Sequence, residues 1–278
     1  MTTNSKLNIL VIIAHHDDAA FACSGTLARW VEEGNKIYIL SVTSSDIGTL
    51  EPDITSKQLG KLCEKELIAA NEVIGIKKTI FLRYSDGGFI DGAKLRKELI
   101  YYVRKLEIDR IVSLDPWQKY EVHPDHIIVG RMAAEAATFS AFPLLYKEQL
   151  QEGLNPYQCS EVWFMGRLGH APNYYVDISS TFEKKITHIL KFESTFTLLS
   201  ELFAPDIDPR NVNQKEMKKL KKLAKKLLNS MASVLGKEVG LKTAEAFFVQ
   251  KTLPGHFDNF RDMILEMLGH PQNQPKII

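Results

Sequence analysis

LNILVIIAHHDD, residues 7–18, is an apolar segment that runs without a break into two histidines and two aspartates. Its first part, Leu7–Ile13, is nearly continuous in apolar and β-branched residues, as in a strand buried on both faces. Strands of this kind occur in parallel sheets whose faces are covered by helices. We therefore predict that the polar residues 14–18 follow directly after a buried strand.

Strand-like and helix-like segments alternate along the rest of the first half. The predicted strands are Lys36–Val42, Thr79–Leu82 and Arg110–Leu114, and the predicted helices are Ser24–Glu33 (with Ser24 as N-cap), Ser56–Ile74, Ala93–Leu106 and Pro124–Ala137. This alternation implies right-handed βαβ units, so the predicted fold class is α/β: a Rossmann-like three-layer sandwich with a mostly parallel sheet. Ligands of such sheets bind beyond the carboxyl ends of the strands. Residues just after Ile13, Val42, Leu82 and Leu114 should therefore share one rim.

The second half is less regular. We predict strands at Ser160–Met165 and Tyr174–Ile178, an amphipathic helix over 179–196, and a lysine-rich helix at Lys215–Leu235. The apolar stripe predicted for that last helix comprises Met217, Leu220, Ala224, Leu227, Met231 and Leu235. We treat residues 1–278 as one domain, in which 1–140 form the Rossmann-like core and 141–278 a strand extension with C-terminal helices.

Composition excludes several classes of protein. The chain has 278 residues, 45% hydrophobic and 25% charged, with a formal net charge of +1. A globular protein with a sizeable core fits this balance, whereas a nucleic-acid binder usually carries a strong basic excess. Cys23, Cys63 and Cys159 form no CxxC pair, which argues against a disulfide framework or a thiolate metal site. With no membrane-length apolar segment and no signal-peptide pattern, we expect a cytoplasmic protein.

Two short clusters carry the chemistry: AHHDD at residues 14–18 and HPDH at residues 123–126. Both follow predicted strands and so fall on the predicted rim. A catalytic zinc ion takes three protein ligands and leaves a position for water or substrate. His15 and Asp18 are three residues apart, and His126 can complete the set from the second loop. We therefore predict a Zn²⁺ site with His15, Asp18 and His126 as ligands; iron or cobalt would accept the same donors.

The remaining residues of the clusters suit the hydrolysis of an amide. Asp17, beside Asp18, would accept a proton from the attacking water as general base. His123 would stabilise the oxyanion as an imidazolium, or protonate the leaving amine. Asp125 could orient one of the histidine rings as an outer carboxylate. Trp117 and Tyr120 lie on the same loop as the second cluster. Aromatic faces often stack on sugar rings, and the Tyr120 hydroxyl could hydrogen-bond the reacting centre; the alternative is that Trp117 only packs the loop.

These motifs resemble the LmbE-like (PIG-L) family of zinc-dependent N-acetylglucosaminyl deacetylases, which is marked by AHPDD after the first strand and by HPDH later. The segments DPWQKYEVHPDH (115–126) and HAPNYYVDI (170–178) look most like those of archaeal diacetylchitobiose deacetylases. The resemblance implies the same zinc ligands, the roles given above for Asp17 and His123, and the removal of an N-acetyl group as acetate from an N-acetylglucosamine-type sugar. It also implies that Asp86 holds sugar hydroxyls.

Assembly is a further implication of the resemblance. The most similar relatives form hexamers in which a histidine near the C-terminus of a neighbour approaches the site, and His256 is the nearest candidate here. We accordingly expect a homo-oligomer, an amino-sugar substrate, and neither nucleic acid nor membrane as a partner.

The chain departs from the family pattern at His16, which replaces proline, at Ala19, where glutamate is common, and at Cys63, where many relatives carry an arginine that contacts substrate. The changes at His16 and Ala19 keep open an alternative function, a metal-binding, Rossmann-like sugar-binding module without turnover. The change at Cys63 leaves the exact substrate open. An ordinary dinucleotide-binding domain is disfavoured because no GxGxxG follows the first strand.

Overall fold

A computed structural model describes residues 6–76, 78–165, 172–200, 204, 206–208, 210–252, 264, 267–268 and 276–278. The strands are β1 (Asn8–Ile13), β2 (Lys36–Thr43), β3 (Lys78–Tyr84), β4 (Arg110–Leu114), β5 (Glu161–Met165), β6 (Tyr174–Asp177), β7 (Ala244–Lys251) and β8 (Lys276–Ile277). The helices are α1 (Asp18–Glu32), α2 (Ser56–Val73), α3 (Gly92–Leu106), α4 (Pro124–Phe139), α5 (Lys147–Gln151), α6 (Phe182–Ile189), α7 (Glu193–Leu198) and α8 (Gln214–Glu238).

The described strands form one sheet in the order β3-β2-β1-β4-β5-β7-β6-β8. Strands β3, β2, β1, β4 and β5 run parallel, whereas β7 lies antiparallel between β5 and β6. The predicted α/β class with a mostly parallel sheet is confirmed. Strands from residues 1–140 and from residues 141–278 belong to this same sheet.

Strand β1 occupies the point where the strand order reverses, with β2 on one side and β4 on the other. Its residues Ile9–Ile13 are fully buried, in keeping with a strand that is covered by helices on both faces. Ligands of open α/β sheets bind at such a switch point. The loops after β1 and β4 therefore lie side by side at the edge where a ligand is expected.

Helix α1 begins earlier than predicted. Its first residue is Asp18 and its N-cap is Asp17, so the prediction of Ser24 as N-cap was wrong. Ser24 lies inside the helix, where its hydroxyl donates to the carbonyl oxygen of Ala20 at 2.7 Å. The alanine-rich segment 18–22 has the helix propensity to extend α1 back to the strand exit. The aspartates of the first cluster consequently lie at the positive end of a helix dipole.

Two predictions for the second half were also wrong. The helix predicted over 179–196 is divided into α6 and α7, which are separated by Leu190–Phe192. In α8, Leu227 and Met231 are 43% and 36% exposed rather than buried. The buried residues of α8 are Leu220, Ala224, Leu228, Ala232 and Gly236. This set recurs at every fourth residue, so the buried stripe winds around the helix as it follows the sheet.

A buried ion pair joins α1 to β7 and α6. The Lys185 ammonium lies 2.5 Å from Oε1 of Glu245, and the two side chains are 4% and 3% exposed. Glu245 also accepts the backbone N–H groups of Gly25 and Thr26, at 3.0 and 2.6 Å, and Lys185 donates to the carbonyl oxygen of Phe21 at 2.7 Å. The pair therefore binds backbone groups in the middle of α1 and fixes that helix against the second half of the sheet.

Among the described residues, no helix combines the length and the apolar content needed to cross a lipid bilayer.

Candidate active site

The first cluster and the second cluster meet at the carboxyl ends of β1 and β4. Asp18, in the first turn of α1, turns its carboxylate back onto the loop and accepts the backbone N–H groups of Ala14 and His15 through Oδ2, at 3.0 and 2.8 Å. The second cluster opens α4, with His123 as N-cap and Pro124 in the first turn. Each cluster therefore lies at the start of a helix that follows a strand of the sheet.

His15, Asp18 and His126 converge on one point. The Nδ1 atom of His15 lies 3.1 Å from Nε2 of His126. Oδ1 of Asp18 lies 3.4 Å from that Nε2 atom and 3.9 Å from Nδ1 of His15. Two imidazole nitrogens and one carboxylate oxygen at these separations match the donor types and the number that catalytic zinc sites use. The residues present therefore fit a divalent metal ion.

The electrostatics of these residues reflect their close approach. Burial lowers the pKa of His15, but hydrogen bonds and charge interactions with Asp18 and Asp86 outweigh it and raise the pKa to about 11. Burial likewise raises the pKa of Asp18, yet hydrogen bonds to His126 and His15 bring it well below its usual range. The pKa of His126 is raised by Asp18 and Glu121 against the effect of burial. The carboxylates thus stabilise positive charge at this point, whether a proton on an imidazole ring or a bound cation carries it.

Two further carboxylates contact the opposite edge of the His15 ring. Nε2 of His15 lies 3.1 Å from Oδ1 of Asp86 and 3.4 Å from Oδ2 of Asp125. Asp125 is fully buried and also accepts the backbone N–H of Gly87 at 2.8 Å. A carboxylate that accepts from the outer nitrogen of a metal-binding histidine fixes its tautomer and ring orientation. This geometry gives Asp86 a contact with His15, and its predicted role toward sugar hydroxyls stays a prediction.

A second group of donors overlaps the first. One ligand atom from each of His15, Asp86, His123 and Asp125 lies within 4.8 Å of the others, and so do donors of His15, His123 and His126. In the group that contains Asp86 and Asp125, the His15 atom nearest the carboxylates is Nε2. The other ring nitrogen, Nδ1, is the one that approaches Asp18. The donors of the predicted set lie between 3.1 and 3.9 Å apart, so they meet the same distance limit as the other two groups.

His123 stacks on His126, with ring centroids 4.5 Å apart and planes inclined by 18°, and lies 4.6 Å from the ring of His15. Burial, and then the neighbouring rings of His15 and His126, lower the pKa of His123. The shift favours the neutral ring rather than the imidazolium that was predicted, because the ring is partly buried beside two other imidazoles. A neutral ring can still donate one hydrogen bond.

Asp17, the predicted base, is partly exposed, with 23% of its side chain accessible. Its Oδ2 atom accepts a hydrogen bond of 2.7 Å from the hydroxyl of Thr195 in α7. A partly exposed carboxylate beside the donor set can reach both solvent and a bound substrate.

Glu121 was not among the predicted site residues. Its Oε2 atom lies 3.0 Å from Nδ1 of His126, and its Oε1 atom accepts the backbone N–H of His123 at 2.9 Å. Each metal-facing histidine therefore has its own carboxylate on the far side of the ring. The signal was present in the sequence, since a glutamate five residues before a candidate ligand is a natural outer partner.

The other predicted contacts lie further out or outside the described residues. Trp117 is 55% exposed and packs edge-on against Phe164, with ring centroids 5.4 Å apart. Tyr120 is 84% exposed and has a positive φ of 66°. Both lie on the loop between β4 and α4, and their sugar-binding role stays a prediction. His256 lies outside the described residues.

The departures from the family pattern are buried beside the first cluster. His16 is 8% exposed, and its Nε2 atom lies 3.1 Å from the hydroxyl of Ser194. Cys63 is 2% exposed, and its thiol donates to the carbonyl oxygen of Ser45 at 3.3 Å. Ala19 is buried in the first turn of α1. His16 therefore points away from the donor set and leaves its three members in place.

Comparison with known proteins shows which family the chain resembles. The family model described as "PIG-L: GlcNAc-PI de-N-acetylase" matches residues 10–137, which include both clusters. A diacetylchitobiose deacetylase of Thermococcus kodakarensis is 31% identical over 193 residues, which cover 69% of this chain and 72% of that protein. A probable N-acetyl-α-D-glucosaminyl L-malate deacetylase of Bacillus anthracis is 28% identical over 48% of this chain and 60% of its own length.

Among solved structures, the N,N'-diacetylchitobiose deacetylase of Pyrococcus horikoshii superposes with a TM-score of 0.73 at 27% identity, covering 90% of this chain and 85% of that one. A 4-carboxy-2-hydroxymuconate hydratase of Pseudomonas putida has a TM-score of 0.68 at 16% identity, a likeness of fold alone. Since the same fold also serves a hydratase, the chemistry has to be argued from the site. On the sequence match and the shared fold, the chain belongs to the LmbE-like (PIG-L) family of N-deacetylases.

Proposed function

We propose that this protein removes the N-acetyl group from an N-acetylglucosamine-type sugar in a zinc-dependent hydrolysis, which releases acetate and the free amine. The observation that carries the proposal is the convergence of Nδ1 of His15, Oδ1 of Asp18 and Nε2 of His126 within 3.9 Å. A divalent ion held there supplies a Lewis acid that polarises a carbonyl and lowers the pKa of water.

The chain's own residues supply the remaining chemistry. Asp17 accepts a proton from the attacking water, because its partly exposed carboxylate lies next to Asp18 in the same loop. His123 donates a hydrogen bond to the substrate carbonyl oxygen as that oxygen gains negative charge. When the carbon–nitrogen bond breaks, Asp17 returns the proton to the departing nitrogen, so that acetic acid and a neutral amine form. The carboxyl proton, which is the second proton of the water, then passes to the amine, and the products leave as acetate and an ammonium group.

The names of the relatives support an amino-sugar substrate. They include deacetylases of diacetylchitobiose, of an N-acetylglucosaminyl malate and of an inositol glycoside of N-acetylglucosamine. The chain spans 60% and 56% of the length of the last two. We therefore propose the N-acetylglucosamine unit as the recognised part, in a monosaccharide, a chitobiose or a glycoside. The cytoplasmic location and a homo-oligomer, up to a hexamer, stay predictions.

The experiment is a measurement of acetate release from a panel of N-acetylglucosamine compounds, with metal-quantified protein and a chelated sample side by side. We expect release that disappears on chelation and returns with zinc. The Asp17→Asn variant should still bind the metal but release no acetate. Full activity in that variant would overturn the assignment of Asp17 as the base. Stoichiometric metal without release from any compound would instead favour the sugar-binding module.

A further inference from the structure

Two adjacent residues of α7 contact two adjacent residues of the first cluster. The hydroxyl of Ser194 lies 3.1 Å from Nε2 of His16, and the hydroxyl of Thr195 donates to Oδ2 of Asp17 at 2.7 Å. The partners are separated by about 180 residues in the chain, so these contacts are purely tertiary. One turn of a short helix thus holds the loop that carries the proposed base.

Glu66, in α2, anchors this turn. One of its carboxylate oxygens accepts the backbone N–H of Ser194 at 3.0 Å, and the other accepts the Ser194 hydroxyl at 2.5 Å. Because the single hydroxyl proton of Ser194 goes to Glu66, the serine oxygen accepts from the Nε2–H of His16. Glu66 and His16 are each only 8% exposed, so water competes little for these bonds. Each hydrogen bond of this network therefore has a defined donor: Nε2–H of His16 donates to Ser194, and the Ser194 hydroxyl donates to Glu66.

The hydrogen bond from Thr195 determines which oxygen of Asp17 is held. Oδ2 accepts the threonine hydroxyl, while Oδ1 lies 4.0 Å from Nδ1 of His16, beyond hydrogen-bond distance. A hydroxyl donor to an ionised carboxylate makes a short, charge-assisted bond. This hydrogen bond restrains Oδ2 and so limits the rotation of the Asp17 carboxylate.

We propose that Ser194 and Thr195, anchored by Glu66, form a clamp that positions Asp17 for its role as general base. The role of Asp17 in this inference rests on the proposed function. The contacts of the clamp do not depend on that function. A general base has to lie within hydrogen-bond reach of the proton that it abstracts, and a displacement of about 1 Å can cost about 100-fold in rate. Thr195 and Ser194 act through Asp17 and His16, and are positioning residues.

The test compares Thr195→Val, which removes the hydroxyl at nearly constant volume, with Thr195→Ser, which keeps it. Thr197→Val is the matched control, because the Thr197 hydroxyl lies in the same helix and, within the described part of the chain, donates to the carbonyl oxygen of Glu193 rather than to the first cluster. We expect kcat to fall about 10- to 100-fold in the valine variant at position 195, with KM and bound metal unchanged. Thr195→Ser and Thr197→Val should stay near the wild type.

Hydrogen exchange supplies a readout that needs no turnover. In Ser194→Ala, the backbone amides of residues 14–16 should exchange faster than in the wild type, while those of β2 stay unchanged, because the clamp no longer restrains the loop. Faster exchange together with the kcat effect supports the proposal. Unchanged exchange, or a kcat in Thr195→Val equal to that of the control, overturns it. If the wild type releases no acetate from any compound, the proposed function fails, and the exchange result alone decides whether the clamp exists.

Discussion

Nδ1 of His15 lies 3.1 Å from Nε2 of His126, although 111 residues separate the two in the chain. Two imidazole nitrogens at this distance either share a proton or share an ion, and Oδ1 of Asp18 lies beside both. The far nitrogen of each ring faces its own carboxylate, Asp86 for His15 and Glu121 for His126. This arrangement is typical of metal-binding histidines with outer partners.

Replacing His126 with alanine should abolish metal binding, because it removes one of three donors and leaves Asp18 with a single imidazole neighbour. We expect a loss in zinc affinity larger than the factor of about 10 to 100 that is usual for an outer partner. Competition with a chromophoric chelator measures the affinity. Asp17→Asn, which leaves the three donors intact, is the control; equal affinities in the two variants would rule His126 out as a ligand.

Glu121→Gln should weaken zinc binding by about 10- to 100-fold, because a neutral amide holds the His126 ring less firmly and makes it a weaker base. The same competition assay applies, with Glu148→Gln on the surface of α5 as the control. Glu148 pairs with exposed Lys97 at 2.6 Å, and its carboxylate is itself 47% exposed. Wild-type affinity in Glu121→Gln would show that this carboxylate does not support His126.

Glu245→Ala should destabilise the fold by about 3–5 kcal/mol, because it leaves the Lys185 ammonium buried without its counter-ion. It also leaves the N–H groups of Gly25 and Thr26 without the carboxylate. Urea unfolding measures the loss as a lower midpoint at a constant slope. The double variant Lys185→Met, Glu245→Leu should recover part of the stability, and a single variant as stable as the wild type would contradict this account of the pair.

Stability should fall in acid partly through His188. Burial, followed by the charge of Lys185, lowers the pKa of His188 from 6.5 to about 3. The unfolded chain therefore binds this proton below pH 6.5 while the folded chain does not, and stability declines by about 1.4 kcal/mol per pH unit as the pH drops toward 3. His188→Gln, which carries no titrating group, should show a slope smaller by about that amount between pH 6 and 5.

The measurement for His188 is urea unfolding at several pH values in the presence of a chelator, so that metal release contributes equally to both proteins. The relevant quantity is the slope of the unfolding free energy against pH, compared between the variant and the wild type. Parallel curves would mean that His188 is protonated in the folded state as easily as in the unfolded one.

The parallel half of the sheet and the meeting of the two clusters could be predicted from sequence for one physical reason. A strand buried on both faces, such as β1, has an uninterrupted apolar sequence, and the carboxyl ends of parallel strands share an edge. Once Ile13 and Leu114 were recognised as strand ends, the proximity of His15 and His126 followed. The donor separations of 3.1 to 3.9 Å needed the structure.

What could not be predicted depends on contacts across long sequence distances. Strand β7 lies between β5 and β6 although it follows both in the chain, and no local pattern in residues 244–251 specifies its neighbours. Local propensity also misplaced the start of α1, because Ser24 is a good N-cap residue whose hydroxyl bonds Ala20 within the helix instead. The contact of Thr195 with Asp17 leaves no trace in the spacing of either residue.

The position of β1 between β2 and β4 has a consequence for the order of events during synthesis. His15 and Asp18 leave the ribosome early, but β4 pairs with β1 only after the segments that form β2 and β3 have been made, and His126 follows later still. A nascent chain that ends before α4 holds two of the three donors. A metal ion bound at the proposed site would therefore be captured only after β4 has paired with β1 and α4 has been made, and it would favour the completed chain over its unfinished forms.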